Sequence, residues 1–143
     1  MEKNTTALLK ECDAGIKMGV ASINEVLEYV SQDELLQILR DGKEKHEVLR
    51  SDLEKLLAQH GGEGKEPNAM AKSMSWVKTN VKLMLNESDR TIADLMTDGC
   101  NMGVKGLSRY LNEYSDADKE ARDIARRLIY LESSMAVDMR PFL

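Results

Sequence analysis

At 143 residues with 42% apolar side chains, the chain has the length and apolar content for one domain around one core, residues 1–143, and not for two. With 20 basic against 25 acidic side chains, a net charge of -5 and a pI near 5.1, its surface repels nucleic-acid phosphates and anionic lipid, which excludes a general polyanion-binding role. No run approaches the roughly 18 apolar residues of a membrane helix, and MEKNTTALLKECDAG lacks the apolar stretch of a secretory signal, so a cytoplasmic protein with reduced Cys12 and Cys100 is expected.

Apolar residues recur at helical intervals throughout, β-branched alternation is nearly absent, and prolines stand only at 67 and 141, so the class is all-α. A first helix is predicted over about 5–30, with Leu8, Leu9, Cys12, Ile16, Gly19, Val20, Ile23, Leu27 and Val30 as its stripe. Ser31 and Glu34 form an S-x-x-E capping box before a second helix at about 32–60, striped by Leu35, Leu39, Gly42, His46, Leu49, Leu53 and Leu56. GGEGKEPN then breaks the helix, since its glycines are poor helix formers and the residue before Pro67 disfavours the α region. A shorter helix is predicted at about 69–85, a long one at about 88–114, and, after a second capping signal at Ser115 and Asp118, a last one reaching about 140. The stripe of the last helix is traced through Ala121, Ile124, Leu128, Leu131, Met135 and Met139.

GIKMGV at 15–20 returns as GCNMGV at 99–104, and a shift of 84 residues aligns Gly15, Met18, Gly19, Val20, Leu27 and Ser31 with Gly99, Met102, Gly103, Val104, Leu111 and Ser115. That is an internal repeat of a helical hairpin, 5–60 and 88–140, joined by a crossover at 61–87. The crossover holds about 17 helical residues, spanning roughly 25 Å, which favours a long connection over a tight turn. The second and third long helices then run parallel, and the glycine-bearing helices lie antiparallel across a pseudo-twofold axis. Each glycine costs about 1 kcal/mol of helix propensity relative to alanine, so Gly15, Gly19, Gly99 and Gly103 are expected to line a close helix crossing.

Two hairpins with a long crossover, a HGGEGKEP break and a short helix bearing Trp76 resemble the ferritin-like superfamily, near its rubrerythrin-related bundles. The resemblance implies an up-down-down-up four-helix bundle with an extra short helix in the crossover. Its di-iron members place a Glu on the first and third bundle helices and Glu-x-x-His on the second and fourth. Here Lys43 stands three before His46, Glu132 is followed by Met135, Leu128 and Leu131 take inward positions, and Glu11, Asp13 and Asp98 fall toward the flanks. Of that ligand set only His46 is in place, so a metal-free binding or structural protein without a cofactor is expected, more than an enzyme. The alternative is a di-iron oxidase or iron-handling protein that uses His46, Glu11, Asp98 and Glu132.

Two readings stand for His46: a histidine hydrogen-bonded to a neighbouring helix, or a ligand or acid-base group using the space beside Gly42. Two also stand for Lys72, Trp76, Lys78 and Lys82: a fifth helix covering the bundle, or a surface docking a partner or an anionic membrane. The partner is an unknown protein or small molecule, or a second copy in a homo-oligomer; Ser/His/Asp arrangements and phosphate-cradling glycine loops are not found.

Overall fold

Each of the four long segments with an apolar stripe is an α-helix in the computed structural model, which describes residues 2–62 and 88–143. These are α1 (Glu2–Leu27), α2 (Asp33–Gln59), α3 (Ser88–Glu113) and α4 (Lys119–Met139), followed by a 3-10 turn at Arg140–Phe142. Pro141 opens that turn, and its missing amide stops α4 from continuing. The short helix expected at 69–85, with Lys72, Trp76, Lys78 and Lys82, lies outside the described residues.

The end of α2 follows from its glycines. Gly61 adopts φ +67, which a side chain would disfavour. The Gly62 amide donates to the Leu57 carbonyl at 2.9 Å and the Gly61 amide to that of Ala58 at 3.1 Å, the paired bonds of a Schellman cap. The helix starts differ from expectation. Gln32, not Ser31, is the N-cap of α2, and no side chain of its own turn caps it; instead Asp89, in the first turn of α3, accepts from the amides of Ser31 at 2.8 Å and Gln32 at 2.9 Å. An ionised carboxylate at a helix N-terminus is a stronger acceptor than the serine hydroxyl that the capping box offers. Asp118 likewise caps α4 without a side-chain bond of its own, and its amide donates to Thr5 Oγ1 of α1 at 2.8 Å. Both capping boxes read from sequence are therefore replaced by caps from another helix.

Side-chain contacts fix how the helices lie. Gly19 faces His46 and Glu132, Gly42 faces Met135, and Gly103 faces Glu132, while Arg127 on α4 reaches Asp52 on α2 at 3.0 Å. So α1 and α2 are antiparallel, α4 is antiparallel to α2 and α3, and α1 runs in the direction of α4. The chain leaves α2 where Gly62 lies beside Thr6 and enters α3 where Asp89 meets Ser31, at the opposite end of the bundle.

The buried stripes form two apolar clusters. One gathers Leu8, Leu9, Cys12, Ile16, Leu49, Leu53, Leu107, Ile124 and Leu128 at the end where α1 begins. The other gathers Ile23, Val26, Leu35, Leu39, Ile92, Met96, Cys100, Met135 and Met139 at the far end. Between them the heptad-like spacing brings one layer with glycines on α1 and α3 and polar side chains on α2 and α4.

Candidate functional site

The middle layer holds one residue from each helix: Gly19, His46, Gly103 and Glu132. His46 occupies the α2 stripe one turn after Gly42 and is 1% exposed. Its Nδ1–H donates to the Gly42 carbonyl at 2.7 Å, since a carbonyl can only accept. Its Nε2 lies 2.8 Å from Glu132 Oε1. With both ring nitrogens facing acceptors, the arrangement fits an imidazolium donating to a carboxylate. Burial works against the charged ring, but the hydrogen bond and charge of Glu132, helped by the Gly42 carbonyl, outweigh it and raise the His46 pKa above the ordinary value.

Glu132 is buried, a correction to the stripe traced through Leu131, which is only partly buried. Leu128, Glu132, Met135 and Met139 form the inward row at spacings of four, three and four. From α3, Cys100 is 2% exposed and donates a thiol hydrogen bond to Glu132. Burial first, then the Glu132 charge and that hydrogen bond, push the Cys100 thiol far up. Cys12 is pushed up to about 12, by burial and then by Glu11 and Asp13. Both cysteines are free and buried, which makes them core residues and not nucleophiles.

The glycines serve this layer unequally. A Cβ on Gly19 would stand 2.7 Å from His46 Nε2, 2.9 Å from His46 Cδ2 and 3.4 Å from Glu132 Oε1, so no larger residue fits beside the unmoved pair. A Cβ on Gly103 would stand 3.6 Å from Glu132 Cδ and Oε2, an ordinary contact. A Cβ on Gly15 would stand 3.5 Å from Leu128 Cδ2, also an ordinary contact, and Gly99 has open space where a Cβ would be. The close crossing expected at all four positions is thus a set of glycine-to-side-chain contacts at three of them, and Gly99 takes no part because it faces outward.

Among the other candidate ligands, Glu11 is half-buried and Asp98 exposed, and neither bonds to the His46–Glu132 pair. Asp13, expected on a flank, is 1% exposed; the Lys17 ammonium one turn on lies 2.8 Å from it and Arg50 Nε of α2 lies 4.0 Å away, so cations accompany it into the α1–α2 interface. Glu44 and Glu47 are exposed. His46 is buried on the row where the α2 stripe places it, and the sequence signal for its partner is that Glu132 follows Leu128 by four. Among the described residues no group of three or more His, Cys, Asp or Glu side chains has the geometry to hold a metal ion, and no described helix is long and apolar enough to cross a membrane. No protein-family model matches the chain, and neither does any curated protein or solved structure.

Proposed function

We propose that the chain is a metal-free, ferritin-like helical bundle that acts as a binding or structural protein, with a buried His–Glu ion pair where related bundles carry metal. The observation that carries this reading is the pair itself: His46 Nε2 and Glu132 Oε1 are 2.8 Å apart, each other's partner, with Gly19 and Gly103 against them. The helix directions support the ferritin-like order, up-down-down-up, in which the second and third helices run parallel on a diagonal.

A duplicated hairpin accounts for several paired features. Under the shift of 84 residues Thr5 corresponds to Asp89, and each caps the second helix of the other hairpin. Gly19 corresponds to Gly103, and both flank Glu132. In the second helices the shift becomes 86, because two residues are added before α4. Leu35, Leu39, Gly42, His46, Leu49 and Leu53 then fall on Ala121, Ala125, Leu128, Glu132, Met135 and Met139, all buried. His46 and Glu132 are thus counterparts in the two halves, which meet at the pseudo-twofold axis.

The residues present do not fit a di-iron centre. Two divalent or trivalent ions need several bridging carboxylates and two imidazoles, whereas the central layer supplies one of each, paired together, and two glycines. A buried charge is tolerated when paired, and here the pairing is complete without a metal. The test is to load the purified protein anaerobically with ferrous ion, expose it to oxygen and measure iron per chain. No retained iron is expected. About two irons per chain, lost in His46→Ala, would replace this reading by the di-iron alternative, with Glu11, Asp98 and Glu132 as the acids to examine.

A further inference from the structure

The first helix is covered on every side. From Asn4 to Ile23 none of the residues of α1 is exposed, whereas α2 and α3 expose side chains in every turn. The stretch AGIKMGVASI at 14–23 carries a single charge, Lys17, and a helix that is apolar all round is a buried one. Ala14 stands two residues from both Cys12 and Ile16, which turns it away from the buried row, yet it is only 5% exposed.

The third helix supplies the comparison, because it holds the equivalent place in its own hairpin. The shift of 84 residues pairs Lys10, Ala14, Met18 and Ala21 with Asp94, Asp98, Met102 and Lys105. All four on α3 are exposed, Met102 by 62%, and all four on α1 are buried or partly buried. Packing of the four helices leaves this face open on α3, so a further part of the molecule closes it on α1.

We infer that the occupant is the chain's own residues 63–87, laid along the outward face of α1. The points where the chain departs and returns select this face. Gly62 lies beside Thr6 near the start of α1, and Asp89 holds the amides of Ser31 and Gln32 just past its end. Thr6 to Leu27 is a rise of about 32 Å along the helix, which the 25 residues from 63 to 87 span with slack. Because α2 and α3 stand on a diagonal, the other route between the same ends crosses α4, and there Tyr130 is 75% exposed with Arg126 and Arg127 exposed beside it. The sequence suits the α1 face. Met70, Met74, Val77, Val81 and Met84 recur at helical spacing, and the small side chains of Ala7, Ala14 and Ala21, seven residues apart, give adaptable methionines room to approach. This inference rests on burial along α1 and holds whether or not the bundle centre binds metal.

The test reads Met18 against Met102 in the full chain at about 1 µM, by peroxide oxidation followed residue by residue in peptide mass spectra. Met102 is expected to oxidise at least about fivefold faster than Met18. Ala14→Glu sets a carboxylate under the proposed contact, at the position where α3 carries the exposed Asp98. It should raise the Met18 rate about fivefold, leave Met102 unchanged, and speed trypsin cleavage after Lys72, Lys78 or Lys82 by at least about tenfold. Lys105→Glu, at the α3 counterpart of Ala21, should change neither. M74S/V81S alters the occupant and not the bundle; it should expose Met18 in the same way, and it decides the matter if Ala14→Glu fails to fold. Equal Met18 and Met102 rates in wild type, protection of Met18 that vanishes on dilution as a second copy would require, or a folded Ala14→Glu or M74S/V81S that leaves Met18 protected would each overturn the proposal.

Discussion

Alanine at the three glycines Gly19, Gly103 and Gly99 separates helix propensity from packing, because the same substitution meets three different surroundings. In a helix interior, Gly→Ala gains about 1 kcal/mol of propensity. At Gly99 nothing lies within 4 Å of the added methyl, so Gly99→Ala should gain the full amount, raising Tm by roughly 4 °C for a chain of this size. At Gly103 the methyl would stand 3.6 Å from the Glu132 carboxylate; it fits but dries one side of the carboxylate, and the net change should lie within about 0.5 kcal/mol of zero. At Gly19 the methyl would fall 2.7 Å from His46 Nε2. That ring is fixed through both nitrogens, so relief requires either overpacking, at about 1 to 3 kcal/mol, or breaking a buried ion pair, at about 3 to 5 kcal/mol. After the propensity gain is subtracted, Gly19→Ala should destabilise by about 0 to 4 kcal/mol, where Gly99→Ala stabilises. Urea unfolding with unchanged m-values reads all three. A Gly19→Ala variant as stable as Gly99→Ala would refute the argument that Gly19 exists to admit the imidazole.

Removing one member of the ion pair should cost far more than removing both: Glu132→Leu is expected to lose about 3 to 5 kcal/mol, while the double variant with His46→Leu returns close to wild type or above it; urea unfolding of the two variants beside wild type checks this. The pair also sets a pH dependence. Because the folded His46 pKa is raised above its unfolded value of about 6.5, its stabilisation is present below that value and is lost as pH rises through the folded pKa. The stability of wild type relative to the double leucine variant should therefore fall as pH rises above 6.5, and a relative stability that climbs instead would mean a histidine buried neutral. Asp89→Ala removes the acceptor of the Ser31 and Gln32 amides and should cost about 1 to 2 kcal/mol in thermal unfolding, more than Ser31→Ala, whose hydroxyl caps nothing.

Much of the architecture is readable in the chain because periodicity and glycine chemistry are local. The α2 stripe from Leu35 to Leu56 is the buried row in the structure, and the break after His60 falls where Gly61 takes a positive φ. What was not readable depends on partners distant in sequence. Ser31 and Ser115 look like caps until Asp89 and Thr5 arrive from the other hairpin. Leu131 and Glu132 are both in phase with Leu128, and hydrophobicity alone selects the leucine; only a histidine waiting on α2 makes the acid the buried choice. Asp13 was misplaced for a similar reason, since its Lys17 partner sits one turn on and accompanies it into the interface.

The central claim is that His46 and Glu132 serve each other and not a metal. Side-chain nitrogen NMR of selectively labelled histidine, assigned through His46→Gln, tests it most directly. The account predicts an imidazolium with both nitrogens protonated at and below pH 6.5, and a spectrum unchanged by excess ferrous or zinc ion. A His46 ring with one unprotonated nitrogen at that pH, shifting or broadening as metal is added, would contradict it.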